Sequence, residues 1–117
     1  ITRMFELMAK TGKLVRVSEL DMGVCEKQFD KALTSADLAK RPDGFQIEQA
    51  MSDYYKWIIA EYYRLVPASQ QYGITQWCLT DSEEGSGWRA GEPTGLWYND
   101  YTRKPAYAGW ADGLGGK

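Results

Sequence analysis

The sequence contains no histidine among its 117 residues. This absence excludes catalytic pairs of serine or cysteine with histidine, and it excludes zinc sites built on imidazole ligands. Catalysis by this chain would have to use carboxylates, tyrosine, lysine, arginine or cysteine. We predict no metal site and no cofactor.

Cysteine is also scarce. Cys25 and Cys78 are the two cysteines, too few for a disulfide framework. We expect two free thiols, and a single bridge between them stays an open alternative. The sequence starts without methionine and without a charged-then-apolar leader, so we expect a mature product or a piece cut from a longer protein.

Neither a strong charge bias nor a long apolar run is present. The formal net charge is −2, and no basic patch indicates a nucleic-acid partner. No apolar run approaches the roughly 18 residues that a membrane span requires. Hydrophobic residues make up 44% of the chain, which is enough for a packed core.

Aromatic residues are abundant, with five tryptophans and eight tyrosines. Their rings can stack on sugars or fill a core, and composition alone favours the core. We expect Trp97 and Trp110 to pack in the core. Four tyrosines fall in one predicted helix, where we expect the rings to pack on strands and the phenol groups to reach water: Tyr54, Tyr55, Tyr62 and Tyr63.

Hydrophobic periodicity predicts helices and strands in alternation. Alternating elements indicate an α/β fold with parallel strands. Two parallel strands leave two open edges and two faces to cover, so we expect the fold to be incomplete without further strands from the same protein or another chain. The predicted elements are a helix before Gly12, a strand at 14–21, a helical turn at 35–40, and then a helix at 45–66, a strand at 74–80 and a helix at 105–114.

Polar and aromatic residues cluster where the two predicted strands end. Glu19 and Asp21 end the first strand, and Trp77 and Asp81 end the second. Functional residues gather at such ends in parallel α/β folds. The two-residue spacing places both carboxylates on one side of the strand, where they repel each other. The pattern leaves open a catalytic carboxylate or a solvated loop edge.

Glycoside hydrolysis fits a glutamate beside a tryptophan, because it uses two carboxyl groups and aromatic walls around the sugar. The chain offers one strong candidate, Glu19. Glu83 and Glu84 lie in a polar loop and are read as a solvated surface pair.

Four motifs resemble glycoside hydrolase family 10, the (β/α)8-barrel endo-β-1,4-xylanases. Residues 17–21 resemble the seventh-strand signature, and residues 73–81 resemble the eighth strand. Trp88 and Arg89 match the eighth loop, and residues 95–98 with 104–107 match the closing segment. The motifs occur in the same order over essentially the whole chain. The long loops and the Gln76–Trp77 pair look most like xylanases of gut Bacteroides-type bacteria.

The resemblance implies that residues 1–117 form the C-terminal part of a TIM barrel, with strands 7 and 8 and helices 6, 7 and 8. Glu19 matches the nucleophile of a retaining reaction, and Asp21 matches a carboxylate that helps to orient it. Trp77 and Trp88 match tryptophans of the −1 sugar site, with Arg89 as a contact nearby.

Further expectations follow from the same resemblance. The substrate would be xylan or a xylo-oligosaccharide, and the protein would be secreted, periplasmic or at a bacterial cell surface. The family's acid/base lies on strand four, which this chain lacks, so the chain alone should be inactive.

Two departures from the family pattern stand out. Cys78 replaces the usual glycine, where its side chain could crowd Trp77 or fill a gap. Trp77 and Trp88 are 11 residues apart, more than we expect. The alternatives to a catalytic part are a non-catalytic carbohydrate-binding module and a fold-completing piece of a split barrel.

Overall fold

The computed structural model describes residues 1–28 and 30–115. It contains four α-helices, two β-strands and one short 3₁₀ turn within these residues. The elements are α1 (Thr2–Ala9), β1 (Val15–Leu20), α2 (Ser35–Lys40), α3 (Gly44–Leu65), β2 (Gln71–Gln76) and α4 (Pro105–Gly113), with the 3₁₀ turn at Ala68–Gln70.

The two strands pair in parallel, with α3 as the crossover between them. One face of the pair is apolar and packs on the helices through Val15, Val17 and Ile74. The opposite face is open to solvent at Arg16 and Tyr72. This alternation follows from the two-residue period of a strand, which sends successive side chains to opposite faces.

A bulge interrupts the pairing near the end of β1. Val17 pairs with Ile74 and Leu20 pairs with Gln76, so three steps along β1 match two along β2. Bulges re-aim side chains and are frequent beside active sites. Ser18 and Glu19 are both exposed, although a regular strand would turn one of them towards the helices.

Helix α3 organises the core, as its three- and four-residue apolar spacing predicts. Its buried side chains join one cluster around Phe5 and Val15 and another around Leu96 and Ala106. Helix α4 lies very close to α3 at Gly109. A Cβ atom there would be 2.1 Å from the carbonyl oxygen of Ser52, so only glycine fits.

The tyrosines of α3 divide into two pairs. Tyr54 and Tyr63 are exposed, as predicted. Tyr55 and Tyr62 are fully buried, so the prediction that their phenol groups reach water is wrong.

The Tyr62 hydroxyl forms hydrogen bonds with backbone groups of both strands instead of with water. It donates to the carbonyl oxygen of Val15 at 2.7 Å and accepts from the amides of Tyr72 and Gly73 at 3.1 Å each. One helix side chain therefore bridges β1 and β2.

The second strand begins three residues earlier than predicted. Its first residues include Gln71 and Gly73, which give no strand signal, yet both pair with β1. The other elements lie within a few residues of their predicted bounds. Helix α2 matches its prediction, and Thr34 and Asp37 form a capping box at its start.

Within residues 1–28 and 30–115, no helix combines the length and the apolar character that crossing a bilayer requires.

We expect Tyr62→Phe to lower the free energy of unfolding by about 2 kcal/mol, because three backbone groups would lose their partner. Urea unfolding followed by circular dichroism measures this loss. Tyr63→Phe is the matched control, since its phenol is exposed. Equal stability of the two variants would show that the bridge contributes nothing.

Candidate active site

Glu19 lies at the bulged end of β1, where it borders the cleft between β1 and α1. Its side chain is exposed and makes no hydrogen bond with any described residue. On its α1 side, β1 borders an apolar cleft of about 340 Å³ lined by Met4, Met8 and Leu20, among others. The carboxylate is therefore presented at an edge that nothing in the described chain occupies.

Trp77 and Trp88 meet beside this strand end. The Trp77 amide donates to the carbonyl oxygen of Leu20 at 2.9 Å, which joins the residue after β2 to the end of β1. The ring centroids of the two tryptophans are 6.1 Å apart and their planes are at 86°, an edge-to-face contact. Trp77 is 45% exposed and Trp88 is 47% exposed, so both rings remain available to a ligand.

Asp21 and Arg89, both predicted site residues, form an ion pair. Arg89 also bonds Glu92, with 2.7 Å between Nε and the carboxylate, and its guanidinium lies over the Trp88 ring. Asp21 therefore reaches the loop of residues 82–95, which bears Trp88 and is called the tryptophan loop below. The sequence led us to expect Asp21 beside Glu19 instead. Four of the five predicted site residues form one contact chain: Asp21, Arg89, Trp88 and Trp77.

Gln76 is a site residue that sequence reasoning missed. Its amide nitrogen lies 3.0 Å from the carbonyl oxygen of Trp77 and 2.9 Å from that of Thr94. Its amide oxygen accepts from the indole of Trp110 at 2.9 Å. These bonds hold the backbone that carries Trp77, and they tie it to α4. A glutamine at the end of a strand gives no sequence signal for this role.

Asp81 was grouped with the polar strand-end residues, but it is buried rather than open to a ligand. It accepts from Lys104 Nζ at 2.5 Å, from the Ser35 hydroxyl at 2.8 Å and from the Gly95 amide at 3.0 Å. The side chains of Asp81 and Lys104 are each only 2% exposed. A buried pair with several hydrogen bonds satisfies both charges, so Asp81 holds the loop in place.

Cys78 follows Trp77 in a left-handed backbone conformation, with φ of 71°. Glycine adopts this conformation without the Cβ clash that other residues suffer. The structure thus explains why a glycine would suit the position. Cys25 and Cys78 are both free thiols, which confirms that expectation, and burial raises the pKa of the Cys78 thiol.

The hydroxyl of Tyr55 is buried close to this loop. It has no hydrogen-bond partner within the described residues, although the Gln76 side chain and the Met22 backbone lie near it. Burial is the main cause that raises the pKa of Tyr55 to about 12. The group therefore stays neutral at physiological pH. Trp97 and Trp110 pack around Tyr55, as the core prediction for these two tryptophans required.

No cluster of three or more histidine, cysteine or acidic side chains able to hold a metal ion occurs among the residues that the structure describes. The groups at the strand ends are one accessible carboxylate, two half-exposed indole rings and a guanidinium tied to carboxylates.

Comparison with protein families decides what this arrangement belongs to. A model of Glycosyl hydrolase family 10 matches residues 1–113. The chain belongs to this family. A comparison with curated proteins gives no match.

Solved xylanase structures share the fold of this family member. A variant of Xylanase10C from Cellvibrio japonicus, in complex with xylopentaose, has 25% identity and a TM-score of 0.74. The alignment covers 99% of our chain and 24% of that one. A thermostable mutant of xylanase Xyn10A from the same organism has 22% identity and a TM-score of 0.75, with 97% and 34% covered.

The GH10 protein from Paenibacillus barcinonensis has 19% identity and a TM-score of 0.70, with 99% of our chain and 31% of that chain covered. The chain thus spans about a quarter to a third of the length of these relatives.

The predicted fold class, an incomplete α/β segment of a TIM barrel with two parallel strands, is confirmed. The likeness to gut Bacteroides-type enzymes stays a prediction.

We expect Cys78→Gly to raise the free energy of unfolding by roughly 1 kcal/mol, because glycine removes the strain of the left-handed backbone. Urea unfolding measures the gain. Cys25→Gly is the control, since Cys25 has no positive φ and should gain nothing. A loss of stability in Cys78→Gly would mean that the thiol contributes more by packing than it costs in strain.

Proposed function

We propose that residues 1–117 are the C-terminal part of a retaining endo-β-1,4-xylanase, with strands 7 and 8 and helices 6 to 8 of its barrel. In this proposal β1 is strand 7 and β2 is strand 8. The observation that carries the proposal is the position of Glu19. It is an exposed carboxylate at the bulged C-terminal end of a barrel strand. The same strand end is hydrogen-bonded to the backbone of Trp77, whose ring is exposed.

Glu19 would act as the nucleophile. Its carboxylate attacks the anomeric carbon of the −1 xylose, while an acid on another strand protonates the leaving oxygen. Water then hydrolyses the glycosyl-enzyme, and the second carboxyl group removes a proton from that water. This double displacement retains the anomeric configuration and needs the two carboxyl groups about 5–5.5 Å apart. The described chain offers no second carboxylate for this role, so the rest of the barrel supplies it.

The two tryptophans would form two walls of the −1 site. Their perpendicular rings, 6.1 Å apart, make a corner rather than a flat surface. A corner suits one sugar ring held in a defined orientation, whereas a non-catalytic binding module uses aligned rings as a platform. Asp21 and Arg89 lie directly behind Trp88, and Asp21 would contribute to the orientation of the site through this contact.

The missing strands are the chain's necessary partner in this proposal. β1 has an open edge beside an apolar cleft, and Leu14 and Tyr72 are exposed as well. Exposed apolar groups of this number are costly in water. Strands from the same protein or from another chain would cover them and complete the barrel.

The substrate would be xylan or xylo-oligosaccharides. Polymeric xylan does not cross a membrane, so the enzyme must meet it outside the cytoplasm. We therefore propose a secreted, periplasmic or cell-surface location in a bacterium. Family membership and the xylopentaose complex of one relative support the substrate class.

In the complete barrel, Glu19→Ala should lower xylan hydrolysis by on the order of 10⁵-fold, because no group would replace the nucleophile. Azide or formate should restore turnover with activated aryl xylosides by acting as a small external nucleophile. Reducing-sugar release and product configuration by NMR measure both effects. Glu83→Ala is the matched control, since Glu83 is an exposed carboxylate in the loop, and it should retain activity. Activity of Glu19→Ala near that of the unchanged enzyme would remove Glu19 from the mechanism.

The purified 117-residue chain alone should release no product from an aryl xyloside, because the acid/base is supplied by another strand. Incubation with the substrate and a sensitive chromogenic assay checks this. Turnover by the chain alone would show that it contains its own acid/base. Recovery of activity on addition of the remaining barrel strands would identify the missing half.

A further inference from the structure

Arg89 is surrounded by protein groups. One Nη atom pairs with Asp21, and Nε donates to Glu92 at 2.7 Å. The guanidinium carbon lies 5.1 Å from the centroid of the Trp88 ring, within the range of a cation–π contact. These three contacts leave the side chain only 25% exposed.

Gly23, just after β1, closes the fourth side. A Cβ atom at this position would lie 2.6 Å from the other Nη atom of Arg89 and 2.8 Å from the Glu92 carboxylate. Glycine leaves room for the guanidinium beside this backbone, whereas a larger residue would displace the side-chain ends of Arg89 and Glu92. Two of the five N–H donors of Arg89 therefore have carboxylate partners, and the guanidinium lies between the Trp88 ring and the Gly23 backbone.

The segment that carries Trp88 needs such an attachment. Residues 83–88 are all exposed, and their hydrogen bonds are local, for example from the Ser86 hydroxyl to the Trp88 carbonyl oxygen. On the α2 side, the Gly91 carbonyl accepts from the Ser35 amide at 2.7 Å. Towards β1, Arg89 supplies the side-chain link of this segment within the described residues.

The backbone at Arg89 is strained as well. Its φ is 47°, in the left-handed region that non-glycine residues rarely occupy because Cβ crowds the backbone. The contacts with Asp21, Glu92 and Trp88 offset this strain. A side chain needed only for solubility would not require such a backbone.

We propose that Arg89 is a positioning residue that fixes Trp88 against Trp77 by tying the tryptophan loop to the end of β1. From the sequence, Arg89 is expected to contact the sugar itself. The geometry points instead to an indirect action, through the ring that Arg89 stacks on and the carboxylate it pairs with. This inference rests on the proposed xylanase function only for its effect on substrate binding.

The test uses the complete barrel and the variant Arg89→Met, which keeps the length of the side chain and removes its charge. Two indole rings at 6.1 Å and 86° couple their transitions and give a circular-dichroism couplet. Trp88→Phe assigns this couplet, because it removes one ring of the pair. We expect Arg89→Met to lose most of the couplet and to raise KM for xylo-oligosaccharides by roughly tenfold, with a smaller effect on kcat.

Arg103→Met is the matched control. Arg103 stacks on Tyr107 with 4.6 Å between the guanidinium carbon and the ring centroid, but it lies outside the tryptophan loop. This variant should keep the couplet and KM. Should Arg89→Met fail to fold, Arg89→Lys keeps the charge without the planar fork and is expected to lose part of the couplet.

An unchanged couplet in the folded Arg89 variant, with KM raised, would overturn the proposal and make Arg89 a direct sugar contact. An unchanged couplet with unchanged KM would overturn it as well. The couplet does not depend on catalysis. If the barrel cleaves no xylan but Arg89→Met still loses the couplet, the proposed function fails while the positioning role stands.

Discussion

The buried ion pair of Asp81 and Lys104 is the interaction on which the candidate site depends. Both side chains are only 2% exposed, and Asp81 also accepts from the hydroxyl of Ser35 and the amide of Gly95. The pair therefore joins the start of α2, the end of the tryptophan loop and the start of α4. Loss of either partner would leave an uncompensated charge inside the protein, at a cost of about 3–5 kcal/mol. The pair therefore fixes the base of the loop, between its departure from β2 and its return to α4.

The rest of the site is attached to this base in two steps. Gln76 holds the carbonyl groups that follow β2, so the backbone of Trp77 is set by the strand and by α4 together. Arg89 fixes the far end of the loop, where Trp88 would otherwise sit in exposed chain. Glu19 depends on neither contact, because the bulge of β1 aims it. Glu19 and the two tryptophans are thus held by separate contacts, which meet where the Trp77 amide bonds the carbonyl oxygen of Leu20.

Sequence patterns were informative where one physical cause dominated. The long apolar period of α3, the capping box of α2 and the position of Glu19 at a strand end were all readable, because each depends on neighbours within a few residues. The start of β2 was not readable, since Gln71 and Gly73 have no strand preference and join the strand by pairing with β1. Asp81 and Tyr62 were misjudged for a similar reason. Their partners lie 23 and 47 residues away, and no local pattern reports whether a polar group is buried with a partner or solvated.

The three bonds of the Tyr62 hydroxyl have a consequence for the order of folding. The parallel strands are brought together across a long crossover, and such non-local pairing is slow because the chain must first be closed into a loop. The same hydroxyl bonds Val15 on β1 and the amides of Tyr72 and Gly73 on β2. Helix α3 and the two strands therefore form a single cooperative unit, in which the helix docks as the strands pair. Local opening of this region should release the helix and both strands together, so the amides of Tyr72 and Gly73 should share one free energy of opening in hydrogen exchange.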